Sequence, residues 1–247
     1  MIKFGTDGWR GIIADTFTFE NLRNASQGLA DLILSKKELP KKIAIGFDRR
    51  FFSKEFARET ACVMAQNGIE VLIAEAFLPT PVISWAAKNY SGLCGAVVIT
   101  ASHNPPCYNG FKFKEKFGCS AFPETTGELE VFIEKRLKSH KEIKIQAPFE
   151  ASVKKGIIKG LNPLEEYAES LKKFIDPSAF KQLNGKVLVD PMNGAGSGYL
   201  VNILKSYGIQ AFEIHGNQDP LFRGLNPEPT ENNLLKQSHS VKRKTLC

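Results

Sequence analysis

The 247-residue chain predicts an α/β fold: a three-layer α/β/α domain with a mixed, mostly parallel sheet, followed by an incomplete second domain of similar type. Short β-rich apolar runs alternate with stretches of helical periodicity, the pattern of a sheet covered on both faces by helices. A polar, irregular stretch interrupts that alternation from about residue 139 to 159. Beyond it the pattern resumes but shows only two strands, too few to bury a doubly covered sheet.

In "TFENLRNASQGLADLILSKK", Leu22, Ala25, Leu29, Leu32 and Ile33 recur at helical spacing, and Thr18 can cap the N-terminus. "KIAIGFDRR" is a short strand ending in charge. "SKEFARETACVMAQNG" puts Phe56, Thr60, Val63 and Met64 on one helical face and stops at Gly68. "IEVLIAEA" is the next strand, and "TPVISWAAKNYSG" the next helix, with Thr80 as N-cap, Pro81 at the first helical position and Gly92 at the end. "GAVVIT" is a strand, "GFKFK" alternates as a strand with one wet face, and "TTGELEVFIEKRLK" opens with Thr125 and Glu128 at capping-box spacing. After the polar stretch, Asn162 and Pro163 start a helix through Leu164, Tyr167, Leu171 and Phe174. "KVLVD" reads as a buried strand, "GSGYLVNILKSYG" as a helix and "IQAFEIH" as a strand. The expected division is a first domain over residues 1–148, a connector over 149–160, a partial second domain over 161–235 and an aberrant basic tail over 236–247.

With 43% hydrophobic and 24% charged residues, the chain can bury a substantial core. No apolar run approaches the ~20 residues that cross a bilayer, and the start "MIKFGTDGWRG" lacks signal-peptide architecture, so no membrane partner and a cytoplasmic location are expected. Cys62, Cys94, Cys107, Cys119 and Cys247 form no C-x-x-C pair and read as reduced thiols. The net charge is +7, but Lys236, Lys242, Arg243 and Lys244 sit in the last twelve residues, and setting them aside leaves +3. The body has no basic stripe with interleaved aromatics, which argues against a nucleic-acid partner.

In an open α/β sheet, ligands bind beyond the carboxyl ends of the strands. Three polar segments fall there: Asp48-Arg49-Arg50, "TASHNPP" and "DPMNGAGSG". A serine hydrolase built on Ser102 and His103 is disfavoured, because neighbours on extended backbone point to opposite sides and "ASHNP" is not the G-x-S-x-G elbow. "GAGSG" is not a dinucleotide fingerprint, since Tyr199 stands where the third glycine belongs; it reads as a tight strand-to-helix turn. What remains at "TASHNPPCYNGFKFK" is a serine beside stiffening prolines, an Asn109-Gly110 turn pair, and lysines that can return alongside on the next strand. That set suits either a phosphate, whose transfer depends on positioning and charge stabilisation, or a simple polar turn.

"TASHNP" followed by "NGFK", together with "FGTDGWRG", closely resembles the α-D-phosphohexomutase family of phosphoglucomutases, phosphomannomutases and phosphoglucosamine mutases. "VLVDPMNGAG" and "GLNPEPTENNL" resemble the second domain of that family, so the resemblance runs from about Lys3 to Leu235. It implies that Ser102 is a phosphoserine, with His103 as acid/base, and Lys112 and Arg10 stabilising charge near the transferred phosphoryl group. It implies a hexose phosphate substrate, a bisphosphosugar intermediate, and Mg²⁺ held against the Ser102 phosphate by three aspartates of a D-G-D-x-D-R loop. The seven aspartates of this chain include no D-x-D, so those ligands are absent and Mg²⁺ is not expected to bind tightly. Asp48-Arg49-Arg50 reads as a salt-bridged structural segment without a catalytic role, and the Trp9 form of "GTDGWRG" favours a glucose or mannose mutase. The tail "KQSHSVKRKTLC" has no apolar periodicity and reads as a frameshift, an early stop or a truncation. The expectation is a phosphohexomutase portion with little turnover of its own. The alternative is a non-catalytic binding module that self-associates through its incomplete second sheet.

Overall fold

A computed structural model of the chain describes residues 2–5, 7–176, 178 and 185–234. The tail 236–247, with Cys247, lies outside them. The first unit is a six-stranded sheet in the order β1-β5-β4-β2-β3-β6. It comprises β1 (Trp9–Ile12), β2 (Lys42–Phe47), β3 (Glu70–Ala74), β4 (Gly95–Ile99), β5 (Tyr108–Glu115) and β6 (Ile158–Leu161). β4, β2, β3 and β6 run parallel, while β5 is antiparallel to both β4 and β1. The mixed, mostly parallel sheet is the one expected.

Helices α1 (Phe19–Ser35), α2 (Ser53–Gln66), α3 (Thr80–Asn89) and α4 (Pro123–Lys138) match the periodic segments. The chain steps outward from β2 to β3 through α2, then back past β2 to β4 through α3. Right-handed crossovers therefore place α2 and α3 on opposite faces. Gly46 lies so close to α3 that a Cβ there would meet Ile83 at 2.4 Å. On the other face α1 packs against α2 and α4, burying Leu22, Leu29 and Ile33. Thr18 caps α1 as expected, its Oγ1 accepting from the Asn21 amide at 3.1 Å.

Several local expectations need correction. α3 begins at Thr80 itself after Pro79, so Thr80 is not its cap. α4 begins at Pro123 after Phe122, which places Thr125 inside the helix and leaves no capping box. Pre-set proline dihedrals start both helices. Strand β5 has no wet face: Lys112 and Lys114 are 3% and 6% exposed, because β1 and β4 flank the strand and both ammonium groups bond Asp7. The segment read as irregular connector contains α5 (Phe149–Lys154) and β6, which pairs with β3. Its short apolar spacing hid a strand whose partner lies far back in the chain, Val71 standing opposite Ile158.

Beyond β6 come α6 (Leu164–Leu171), β7 (Val187–Val189), α7 (Tyr199–Ser206) and β8 (Ala211–Glu213). Phe174 falls past the end of α6 and is 85% exposed. Among the described residues β7 and β8 form a separate two-stranded parallel sheet around Val189, Val201 and Ala211. Leu188 on β7, expected to be buried, is 42% exposed. No helix among the described residues is long and apolar enough to cross a membrane.

Candidate active site

β2 and β4 are parallel neighbours with Phe47 opposite Ile99, so the residues following each strand leave the sheet side by side. The Asp48 amide bonds the Ile99 carbonyl at 3.1 Å, which sets Asp48-Arg49-Arg50 directly against Thr100 and Ser102. From the other side, β1 pairs with β5 so that Arg10 stands opposite Gly110. A Cβ on Gly110 would lie 2.5 Å from the Thr100 carbonyl and 2.9 Å from that of Trp9, so only glycine lets the three strands converge here.

The loop after β4 carries Ser102 at its exposed crest, with φ at +57°. Left-handed backbone is uncommon for serine and is held here by the Thr100 hydroxyl, which accepts from the Ser102 amide at 3.0 Å. It also corrects the premise of extended backbone: Ser102 Oγ and His103 Nδ1 fall on the same side, 3.5 Å apart. Arg10 donates from Nη1 to Asn104 Oδ1 at 2.7 Å. Arg50 reaches beneath the loop and donates to the carbonyls of Ser102, Asn104, Pro105 and Tyr108 at 2.6 to 3.0 Å. Asp48 pairs with Arg50 Nε at 3.3 Å and accepts from the Ser53 hydroxyl at 2.6 Å. Asn109 is no turn residue: it lies in β5, fully buried, and donates to Ser53 Oγ at 2.9 Å.

Lys112 is directed to the carboxylate of Asp7, which also receives Lys114 at 3.0 Å and Ser120 at 2.9 Å. Burial alone would raise the Asp7 carboxyl; the hydrogen bonds from Lys112, Lys114 and Ser120 outweigh it and hold it at about 2. Burial pushes the Lys112 ammonium below the usual lysine range, with Asp7 acting against that shift and Arg10 adding to it. Arg50 and Lys112 thus each feel the charge of Arg10 beside the serine loop, an electropositive setting suited to an anionic group.

The chain matches the phosphoglucomutase/phosphomannomutase alpha/beta/alpha domain I over residues 1–140 and domain II over residues 165–246. The chain belongs to the phosphoglucomutase/phosphomannomutase family. It is 30% identical over 240 residues to a phosphoglucosamine/phosphogalactosamine mutase of Sulfurisphaera tokodaii, covering 97% of this chain and 50% of that one. It is 31% identical over 232 residues to a phosphoglucomutase/phosphomannomutase of Thermococcus kodakarensis, covering 94% and 48%. A crystal structure from Thermus thermophilus, assigned as a phosphomannomutase, superposes with a TM-score of 0.86 at 31% identity, over 99% of this chain and 53% of that one. The chain therefore spans about half the length of the curated relatives it matches.

Of the four residues the sequence singled out in this family member, Ser102, His103 and Arg10 gather at the loop, while Lys112 is buried against Asp7 nearby. Sequence reasoning missed Asp7, Asn104 and the loop-holding role of Arg50. Its reading of Asp48-Arg49-Arg50 as ion-paired holds for Asp48 and Arg50, but the larger part of Arg50's bonding goes to loop carbonyls. The only signal was position at the end of a strand.

The magnesium implied by the family does not fit the described residues. They contain no group of three or more carboxylates, histidines or cysteines able to hold a metal, and the carboxylates flanking the loop, Asp7 and Asp48, are already engaged by cations. In the second unit, Glu213 accepts from the Gly198 amide at 2.7 Å and from Ser197 at 3.0 Å, filling the turn before α7. The tight-turn reading of "GAGSG" is the one observed.

Proposed function

We propose that this chain supplies the phosphate-carrying half of a phosphohexomutase reaction, with Ser102 as the carrier and hexose phosphates as the substrate class. The supporting observation is the exposed left-handed Ser102 on a loop braced by Arg50 and Arg10, within a chain of this family. In the transfer, a sugar hydroxyl oxygen forms a bond to phosphorus as the Ser102 Oγ–phosphorus bond breaks. The sugar proton leaves to a base, and Oγ takes a proton in return. His103, whose Nδ1 lies 3.5 Å from Oγ, is the group in reach of that proton. Arg10 and Lys112 offset the phosphoryl charge. Glucosamine, glucose and mannose mutases all stand among the similar proteins, so the Trp9 form does not single out one sugar.

With no metal-holding carboxylates at the loop among the described residues, the 247-residue chain is expected to exchange a phosphoryl group at Ser102 slowly and to show little mutase turnover. Incubation with a hexose 1,6-bisphosphate, followed by intact-mass and peptide analysis, should find one phosphoryl group on Ser102 and none in Ser102→Ala. Phosphorylation at another residue, or none at all, rules out the carrier role; sustained sugar-phosphate conversion lost in Ser102→Ala rules out the low-turnover reading.

A second reading, a binding module that self-associates, draws on the exposed Leu188, Leu200 and Phe212 of the second unit. Size-exclusion chromatography decides it: a clean monomer at high concentration counts against it.

A further inference from the structure

Phe222 is 4% exposed yet, among the described residues, belongs to neither apolar cluster. It sits in a short 3-10 turn of the second unit, Phe222–Gly224, at a φ of +49°, where a bulky residue is strained. Its ring lies 5.2 Å from the guanidinium carbon of Arg50. Arg50, with a fully buried side chain, is the same residue that donates to four carbonyls between Ser102 and Tyr108. Beside it, Arg49 donates to the Gly216 carbonyl at 2.8 Å, so both arginines of this dipeptide touch the second unit.

We propose that Arg50 is the positioning residue of the Ser102 loop and that Phe222 completes its clamp, so that docking of the second unit sets the geometry of the phosphate-carrying serine. A guanidinium is planar with five donors in a fixed fork, and can serve several carbonyls at once while its face packs against an aromatic ring. Lysine in its place would keep the charge opposite Asp48 but lose the fork. A strained, buried phenylalanine outside both cores is accounted for by the cation it covers. The consequence for phosphoryl transfer rests on Ser102 being the carrier; the clamp itself does not.

Hydrogen exchange read by mass spectrometry on the wild-type chain, Arg50→Lys and Phe222→Ala tests it. Amides from Ser102 to Tyr108 should exchange roughly tenfold faster in Arg50→Lys and several-fold faster in Phe222→Ala, with α1 and β2 unchanged in both. Unaltered loop exchange in either variant overturns the proposal, as does uniform acceleration across the first unit, which would make Arg50 a general support of the fold. Phosphoryl uptake at Ser102 from a hexose bisphosphate should slow in Arg50→Lys with an unchanged half-saturating concentration, because the Arg50 side chain is fully buried against the loop carbonyls; a raised half-saturating concentration at an unchanged limiting rate overturns it. If the wild type takes up no phosphoryl group, the carrier reading fails and the exchange data alone decide the clamp.

Discussion

The six-stranded sheet of the first unit and the two-stranded sheet of the second are both built from alternating strands and helices, yet they bury their side chains very differently. In the first, helices cover both faces and residues such as Phe111, Ile45 and Leu29 are wholly buried. In the second, Val189, Val201 and Ala211 are the buried members of the cluster, and Leu188 and Phe212 on the paired strands stay open. The difference shows that parallel β-α-β order specifies which face of an element is apolar without supplying the partner that covers it. The second unit instead leans on the first through polar and aromatic contacts: Tyr199 Oη donates to the Phe77 carbonyl at 2.5 Å, and the Tyr199 and Phe77 rings lie 5.8 Å apart.

Paired truncations would test that contrast most strongly. Phe111→Ala should cost about 3–5 kcal/mol in urea unfolding, whereas Val201→Ala should cost only about 1 kcal/mol, since its surroundings can collapse or admit water. Equal losses would mean that the second unit is as tightly packed as the first.

Next in size is Asp7→Asn, which leaves the buried Lys112 without its counter-charge. The loss should be about 2 kcal/mol, below the ~3–5 kcal/mol of a fully buried pair because Asp7 is itself a third exposed. The acid limb checks the same contact. A carboxyl held at about 2, against 3.8 when unpaired, contributes stability above 3.8 that drains away as pH falls through about 2. Discounted for exposure, the contribution is about 1–2 kcal/mol. Wild type and Asp7→Asn should therefore converge in stability between about pH 4 and about pH 2; parallel curves would show that the Lys112 contact carries no net stability.

The smallest effect expected is at the cap of α1. Thr18→Ala should cost about 1 kcal/mol, by thermal or urea unfolding, without altering loop exchange around Ser102. A loss of loop order there would mean that the site depends on the whole first unit rather than on its local clamp.

Much of the first unit was legible because helical spacing and β-rich runs are local: α1, α2, β2, β3 and β4 fall where periodicity places them. β6 was not, since "IIKG" has no pattern of its own and becomes a strand only by pairing with Val71 to Ala74. The serine motif was legible as a motif, and its electropositive surroundings followed from Lys112 and Arg10. Lys112 was expected on a half-wet strand, because alternation cannot reveal that a turn bearing Asp7 folds over the polar face.

The residues by themselves determined the α/β class, most helix positions, the family and the serine at the loop crest, all properties carried by near neighbours in the chain. Only the tertiary structure decided that β2 lies beside β4 and β1 beside β5, and so that Arg50, Asn104 and Arg10 converge on one loop. Strand order is set by burial across the whole sheet, between residues as far apart in the chain as Arg50 and Ser102 or Arg10 and Asn104. No local pattern encodes it.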